Sequence, residues 1–241
     1  MLSISQKKYI HSLQLKKFRL QHGTFLVEGE KMVKELIQSD FELEFVFVTV
    51  GNKIENYNAI EISEKEMKSI SALTTPSNFL AVAKQKKQVV DLTQNNLILV
   101  LDNIKDPGNL GTIIRTADWF GINTIICSNE CVDVYNPKVV QATMGSLFRI
   151  NVTYVDLVEF FQQNNSIPSY GALLEGKNLY QYPIKYKKAF LLMGSESFGI
   201  DNKLIPFITE KIMIPKFGQS ESLNVAVATG ILCSAYRQIN R

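Results

Sequence analysis

Histidine and cysteine are scarce in this 241-residue chain, which holds two His and three Cys. A structural zinc site draws on four closely spaced Cys or His ligands. Here Cys127, Cys131 and Cys233 form no C-x-x-C pair, and His11 and His22 are distant in sequence. The thiols are read as free, in a reducing compartment, with neither a metal site nor a disulfide expected. Long apolar runs are missing too. "LILVL" at 97–101 and "FLLM" at 190–193 fall far short of the roughly 20 residues of a membrane span. The opening "MLSISQKKYIHS" carries charge but no apolar stretch of a signal peptide. A cytoplasmic protein with no membrane partner is expected. Also absent are G-x-G-x-x-G, G-x-x-x-x-G-K-[ST], a G-x-S-x-G elbow and H-E-x-x-H. Hydride transfer, P-loop hydrolysis and Ser-His-Asp chemistry therefore lose ground.

What is present is an ordinary globular composition, 46% hydrophobic and 20% charged, with length enough for one large domain or two. A net charge of +3 is too weak to declare a nucleic-acid partner. Its distribution says more. Lys7, Lys8, Lys16, Lys17, Arg19, Lys31 and Lys34 face only Glu28, Glu30 and Glu35 within residues 1–35, and "KQKK" follows at 84–87. Such clusters can neutralise phosphates, although a charge run also makes a solvated face.

Patterning divides the chain at a polar connector. Residues 1–22 space apolar residues as a short amphipathic helix, and "TFLVEG", "ELEFVFVTV", "NAIEIS" and "NFLAVAKQ" read as strands around the helices "EKMVKELIQS" and "EKEMKSISAL". Residues 1–88 thus form a first α/β domain and 89–96 a linker. Residues 97–241 then alternate continuous apolar strands with helices, which implies a mostly parallel sheet with helices on both faces. Among these elements "LFRINVTYV" reads as one strand, and the last helix is expected to start near Ser222.

Three loops of this second part carry polar residues at strand ends, where open α/β sheets keep their ligands. In "DNIKDPGNLGTIIRTADWFG", Asp106 suits a helix N-cap and Pro107 the first helical position. Gly108 and Gly111 share a helical stripe with Arg115 and clear space beside its guanidinium. In "LLMGSESFGI" a buried strand runs into small residues and one carboxylate, Glu196. In "IPKFGQSESLNVAVATGI" Ser222 could cap the final helix, whose Ala226, Ala228 and Gly230 permit close approach of another helix.

Together these three segments resemble the signature motifs of the SpoU (TrmH) branch of SPOUT RNA methyltransferases. The stretch around "FLVEGEKMVKELI" looks like the L30e-like substrate-binding domain that many members carry. The resemblance implies a C-terminal trefoil knot, S-adenosylmethionine as methyl donor, a ribose 2′-hydroxyl of RNA as acceptor (rRNA more than tRNA), and a homodimer whose site the second subunit completes. By position Asn109, Arg115, Glu196, Ser222 and Asn224 match the catalytic set. Gly194, Ile214 and Leu223 match backbone cofactor contacts, with Thr143 and Gly145 bordering that pocket. Departures are Ser197 for a second glycine, Lys216 where Met is common and Ala226 where Ser is common.

Methyl transfer from a sulfonium rests on positioning in a dry cavity, and it needs no metal because the leaving group departs neutral. The family assigns the ribose proton to the arginine at Arg115. A guanidinium ordinarily keeps its proton, so two accounts stand: a base whose hold on the proton is loosened by a dry, low-dielectric pocket, or a charged group that orients the ribose phosphate and stabilises developing alkoxide. The alternative to an enzyme is a non-catalytic RNA-binding or ribosome-assembly protein that keeps the fold; the full set of five residues argues against it.

Overall fold

A computed structural model describes residues 2–87, 89–93, 96–182, 184–195 and 198–239. The chain divides into two compact units, Met1–Lys87 with Asp133–Arg149, and Gln88–Val132 with Ile150–Arg241.

In the first unit the expected single N-terminal helix is two helices, α1 (Ile4–Ser12) and α2 (Lys16–His22). Ser3 and Gln6 form a capping box that starts α1. The break has a physical cause in Arg19. Its guanidinium turns inward, donates to the Leu13 and Gln14 carbonyls at 2.9 Å each, and pairs with Asp133 at 2.6 Å. Arg19 is therefore a buried structural cation rather than a member of a phosphate-binding face. Lys7, Lys31 and Lys34 stand within 3.9, 3.7 and 2.6 Å of Glu66, Glu35 and Glu30, whereas Lys8, Lys16 and Lys17 are exposed.

The remaining elements are β1 (Thr24–Glu28), α3 (Glu30–Ile37), β2 (Leu43–Thr49), β3 (Ile60–Ile62), α4 (Glu64–Ile70) and β4 (Phe79–Lys84), with sheet order β1-β4-β2-β3. Leu26, Phe47, Leu80 and Val82 of the sheet pack with Ile10, Leu13, Met67 and Ile70 of the helices. The segment 133–149 joins this unit because its aromatics find partners here. Tyr135 meets Phe25 with ring centroids 4.5 Å apart, and Phe148 meets Phe41 at 5.6 Å. It contains α6 (Pro137–Thr143), capped by Asn136. Burial of Phe148 also shortens the expected strand: residues 146–148 form a 3-10 turn, and β7 (Asn151–Val155) begins only after it.

Glu28 is buried at the end of β1, where it accepts from Ser71 Oγ at 2.5 Å and Ala72 N at 2.7 Å. Burial raises its carboxyl above the ordinary range, and those two bonds oppose the rise. The folded chain thus holds this proton more tightly than the unfolded one, so the group's contribution to stability is complete in acid and is lost as pH rises through the folded value. Glu28→Gln can accept from Ala72 N through its amide oxygen and donate from its amide nitrogen to Ser71 Oγ, without the charge. It should melt no lower than wild type at neutral pH, and the two curves should converge below about pH 4. A neutral-pH melting point well under wild type would contradict this.

The second unit is built on a six-stranded sheet of order β10-β8-β9-β5-β6-β7, every adjacent pair parallel. Its strands are β5 (Leu97–Leu101), β6 (Thr124–Ser128), β7, β8 (Ser169–Asn178), β9 (Ala189–Met193) and β10 (Glu210–Met213); its helices are α5 (Pro107–Trp119), α7 (Leu157–Gln163) and α8 (Val225–Ile239). Ile98, Val100, Phe190 and Leu192 pack on one face against Phe160 and Phe161 of α7. Leu99 and Leu101 point to the other side and are equally buried, so both faces are covered, as a parallel sheet requires. The α/β expectation holds.

Candidate active site

Parallel strands bring their carboxyl ends to one edge, and the loops after β5, β9 and β10 leave from there. The loop after β5 is held by hydrogen bonds from its neighbours. Ser128 Oγ accepts from Asn103 N at 3.0 Å, and the buried Cys131 thiol accepts from Ile104 N at 3.2 Å and donates to Leu101 O at 3.3 Å. A hydrogen bond from Cys127 brings the Cys131 thiol down to about 7, while Cys127 is itself pushed up. All three cysteines are free and buried. Asp106 then caps α5 by accepting from Asn109 N at 2.8 Å, with Pro107 in the first turn, as the sequence indicates.

Asp102, at the end of β5, joins the first loop to the second. Its carboxylate accepts from Asp201 N at 2.8 Å, and burial raises its carboxyl. The second loop folds back on itself through reciprocal 2.9 Å bonds between the backbones of Ser195 and Gly199. Gly194 is required for that fold. A Cβ there would lie 2.2 Å from the Gly199 carbonyl carbon and 2.3 Å from Ile200 N. Glu196, with Ser197, lies outside the described residues.

The third loop ends at Asn224, and here the structure corrects the expectation. Asn224 rather than Ser222 caps the last helix, which starts at Val225: its Oδ1 accepts from Ala226 N at 2.9 Å and Val227 N at 3.2 Å. The same side chain donates from Nδ2 to Asn109 Oδ1 at 2.8 Å. This bond spans 115 residues of chain and joins two of the candidate residues directly. α8 packs against α5, where a Cβ on Gly230 would make ordinary contact 3.9 Å from Thr116 Cγ2, so the approach does not depend on that glycine.

The second and third loops enclose a cavity of about 890 Å³. Met193, Ile200, Ile212, Ile214 and Val225 give it apolar walls, and Ser195, Ser220 and Ser222 add hydroxyls. Glu175 and Glu221 supply carboxylates, Lys211 and Lys216 ammonium groups. A volume near the top of the roughly 300–1,000 Å³ range of small-molecule sites, with apolar walls and a few polar groups, suits an amphipathic ligand carrying both a flat ring and charge.

Of the residues singled out from sequence, Ser222, Ile214 and Leu223 line this cavity. Gly194 lies between two that do, Met193 and Ser195, and acts by close packing. Arg115 is exposed on α5 and is not part of the cavity wall of its own chain. Thr143 and Gly145 lie in the first unit. The Thr143 hydroxyl is bonded to Val140 O at 2.7 Å, and Gly145 stands over Glu35 with φ +97°. The cavity walls come from the second unit alone. Asp102 and Cys131 were not singled out. A lone acid closing an apolar strand, "LILVLD", was the available signal for Asp102. Among the described residues no group of three or more His, Cys, Asp or Glu is placed to hold a metal ion, and no helix is long and apolar enough to cross a membrane.

Comparison with known proteins adds to this geometry. The family model described as SpoU rRNA Methylase matches residues 96–234, and that of the MRM3-like substrate binding domain matches residues 5–81. The chain is 31% identical over 227 residues to the 23S rRNA (guanosine(2553)-2′-O)-methyltransferase RlmP of Bacillus subtilis, covering 91% of each. It is similar to the structure of a TrmH-family protein from Porphyromonas gingivalis, with TM-score 0.89, 38% identity and 99% of both chains covered. It is also similar to an AdoMet-bound rRNA methyltransferase from Sinorhizobium meliloti, with TM-score 0.88, 28% identity, and 99% and 97% of the two chains covered.

Proposed function

Since the chain belongs to the SpoU rRNA methylase family, we propose that it moves a methyl group from S-adenosylmethionine to a ribose 2′-hydroxyl of ribosomal RNA. The observation that carries this for the chain's own residues is the Asn109–Asn224 bond, which links the first and third motifs beside an apolar, partly charged cavity. The name of the Bacillus subtilis relative makes 23S rRNA the first substrate to try. In this reading residues 1–88 hold the RNA, 97–241 carry out the transfer, and the three unpaired thiols suit the cytoplasm.

The residues present fit the cofactor. Ile214, Leu223 and the backbone beside Gly194 would hold it, with Glu175 or Glu221 facing its positive charge. When bound it supplies an electrophilic methyl group. The protein's tasks are then to exclude water with Met193, Ile200 and Val225, and to set the ribose oxygen in line. Asn109, Asn224, Ser222 and Glu196 orient the acceptor, and Arg115 compensates charge that develops on it.

Arg115 reaches this role across a homodimer. It is exposed on α5, Trp119 one turn further is 85% exposed, and Val227 on α8 is 53% exposed. Large exposed apolar side chains on the two helices, one of which also carries the exposed Arg115, support a second subunit there. The knotted passage of the chain end belongs to the same proposal, supported by the second and third loops sharing one cavity. Mixing Arg115→Ala with Leu223→Arg, each inactive alone, should restore about a quarter of wild-type sites if each arginine serves its neighbour's cavity. No recovery on mixing would reject the shared site.

The role of Asn224 has its own test. Asn224→Ala should lower kcat roughly a hundredfold, the cost of a misplaced acceptor, and weaken the cap of α8 by about 1 kcal/mol. Calorimetry should find S-adenosylmethionine affinity changed far less. Lost affinity with unchanged turnover at saturation would contradict an orienting role.

A further inference from the structure

The cavity has an unusual mouth. Phe198 is 85% exposed and Phe217 is 93% exposed, yet both border the cavity, one on the loop after β9 and the other on the loop after β10. Single exposed apolar residues need no explanation, but two exposed phenyl rings bordering one cavity are a different matter. Lys216 precedes Phe217 and also borders the cavity, so a cation and a ring sit side by side on one loop. That pairing matches a nucleotide, whose phosphate seeks an ammonium group and whose base seeks a flat apolar surface.

We propose that Phe198 and Phe217, with Lys216, form a stacking site for an unpaired nucleobase of the RNA substrate. The proposal rests on the methyl-transfer reading and extends it to the form of RNA recognised. A ribose hydroxyl reaches the inner end of such a cavity when its nucleotide leaves the helical stack, and the rings replace part of the stacking it gives up. Every base has a π-face, so the site tolerates base identity and selects for an unstacked nucleotide. Glu175 and Glu221 also face the cavity; they disfavour phosphate near them, which directs the backbone toward Lys216.

The test uses the full chain and a short single-stranded RNA carrying one 2-aminopurine, with S-adenosylhomocysteine present. Binding to wild type should quench the probe. Phe198→Ala and Phe217→Ala should each weaken RNA binding about tenfold, Phe198→Tyr should retain it, and S-adenosylmethionine affinity should stay unchanged. Three results would overturn the proposal: unchanged RNA binding in both alanine variants, lost cofactor affinity with RNA binding intact, or a changed oligomeric state alone. Methyl transfer by wild type with an unaltered KM for RNA in the variants defeats the stacking site and leaves the enzyme reading standing. Quenching by a wild type that transfers no methyl group defeats the enzyme reading and leaves the stacking site.

Discussion

Arg115→Ala should lower kcat for RNA methylation about a thousandfold, the upper range for removing one group that stabilises developing negative charge. Its S-adenosylmethionine affinity should stay within about twofold of wild type, because the side chain acts on charge that develops on the acceptor only in the transition state. Arg115→Lys separates the two accounts of its chemistry. A point charge keeps part of the electrostatic effect but loses the two-pronged geometry of a guanidinium. If Arg115 acts while charged, the lysine variant should lose a moderate part of the rate with an unshifted pH–rate profile. If it acts as the base, the acidic limb of that profile should move to the position set by the lysine amine. A lysine variant at the wild-type rate with an unshifted profile would remove Arg115 from the mechanism.

The second large effect is expected at Gly194. An alanine there would place its Cβ 2.2 Å from the Gly199 carbonyl carbon. Backbone atoms cannot yield as the end of a flexible side chain does. Overpacking of this kind costs about 1–3 kcal/mol where neighbours can shift. Here the turn closed by Ser195 and Gly199 must open, and with it the wall formed by Met193, Ser195 and Ile200. Gly194→Ala should therefore weaken S-adenosylmethionine binding by at least about a hundredfold, in a chain whose circular dichroism still reports an α/β fold. Tight binding of cofactor by this variant would mean that the loop is not part of the site.

Local signals in the sequence proved dependable where a residue's partner is close in the chain. Asp106 caps α5 with Pro107 behind it, as the pattern indicates, because both effects act within one helical turn. The apolar runs at 97–101 and 189–193 are buried parallel strands for the same reason: burial on both faces demands continuous hydrophobicity. Long-range partners were not legible. Arg19 reads as one more surface cation until Asp133 closes on it from 114 residues away, and that pair with its two carbonyl acceptors splits the N-terminal helix. Phe148 reads as strand until Phe41 takes it into the first unit. Ser222 and Asn224 are both good caps, and spacing alone does not choose between them; the bond to Asn109 does.

The candidate site follows the same division. Its residues could be collected from three loops by resemblance, but no periodicity brings residue 109 to residue 224. That meeting depends on α8 lying against α5. Asp102 was missed because its role, holding the backbone of Asp201, is visible only once β5 and β9 are seen to end side by side.

The most direct test is methyl transfer itself. Wild-type protein, S-adenosylmethionine labelled in its methyl group and unmodified 23S rRNA are incubated, and the RNA is digested to nucleosides. The label should appear in a 2′-O-methylnucleoside, and its initial rate of entry should fall about a thousandfold when Arg115→Ala replaces wild type. Label on a base, or a bound cofactor with no label entering any ribosomal or transfer RNA, would contradict the assignment.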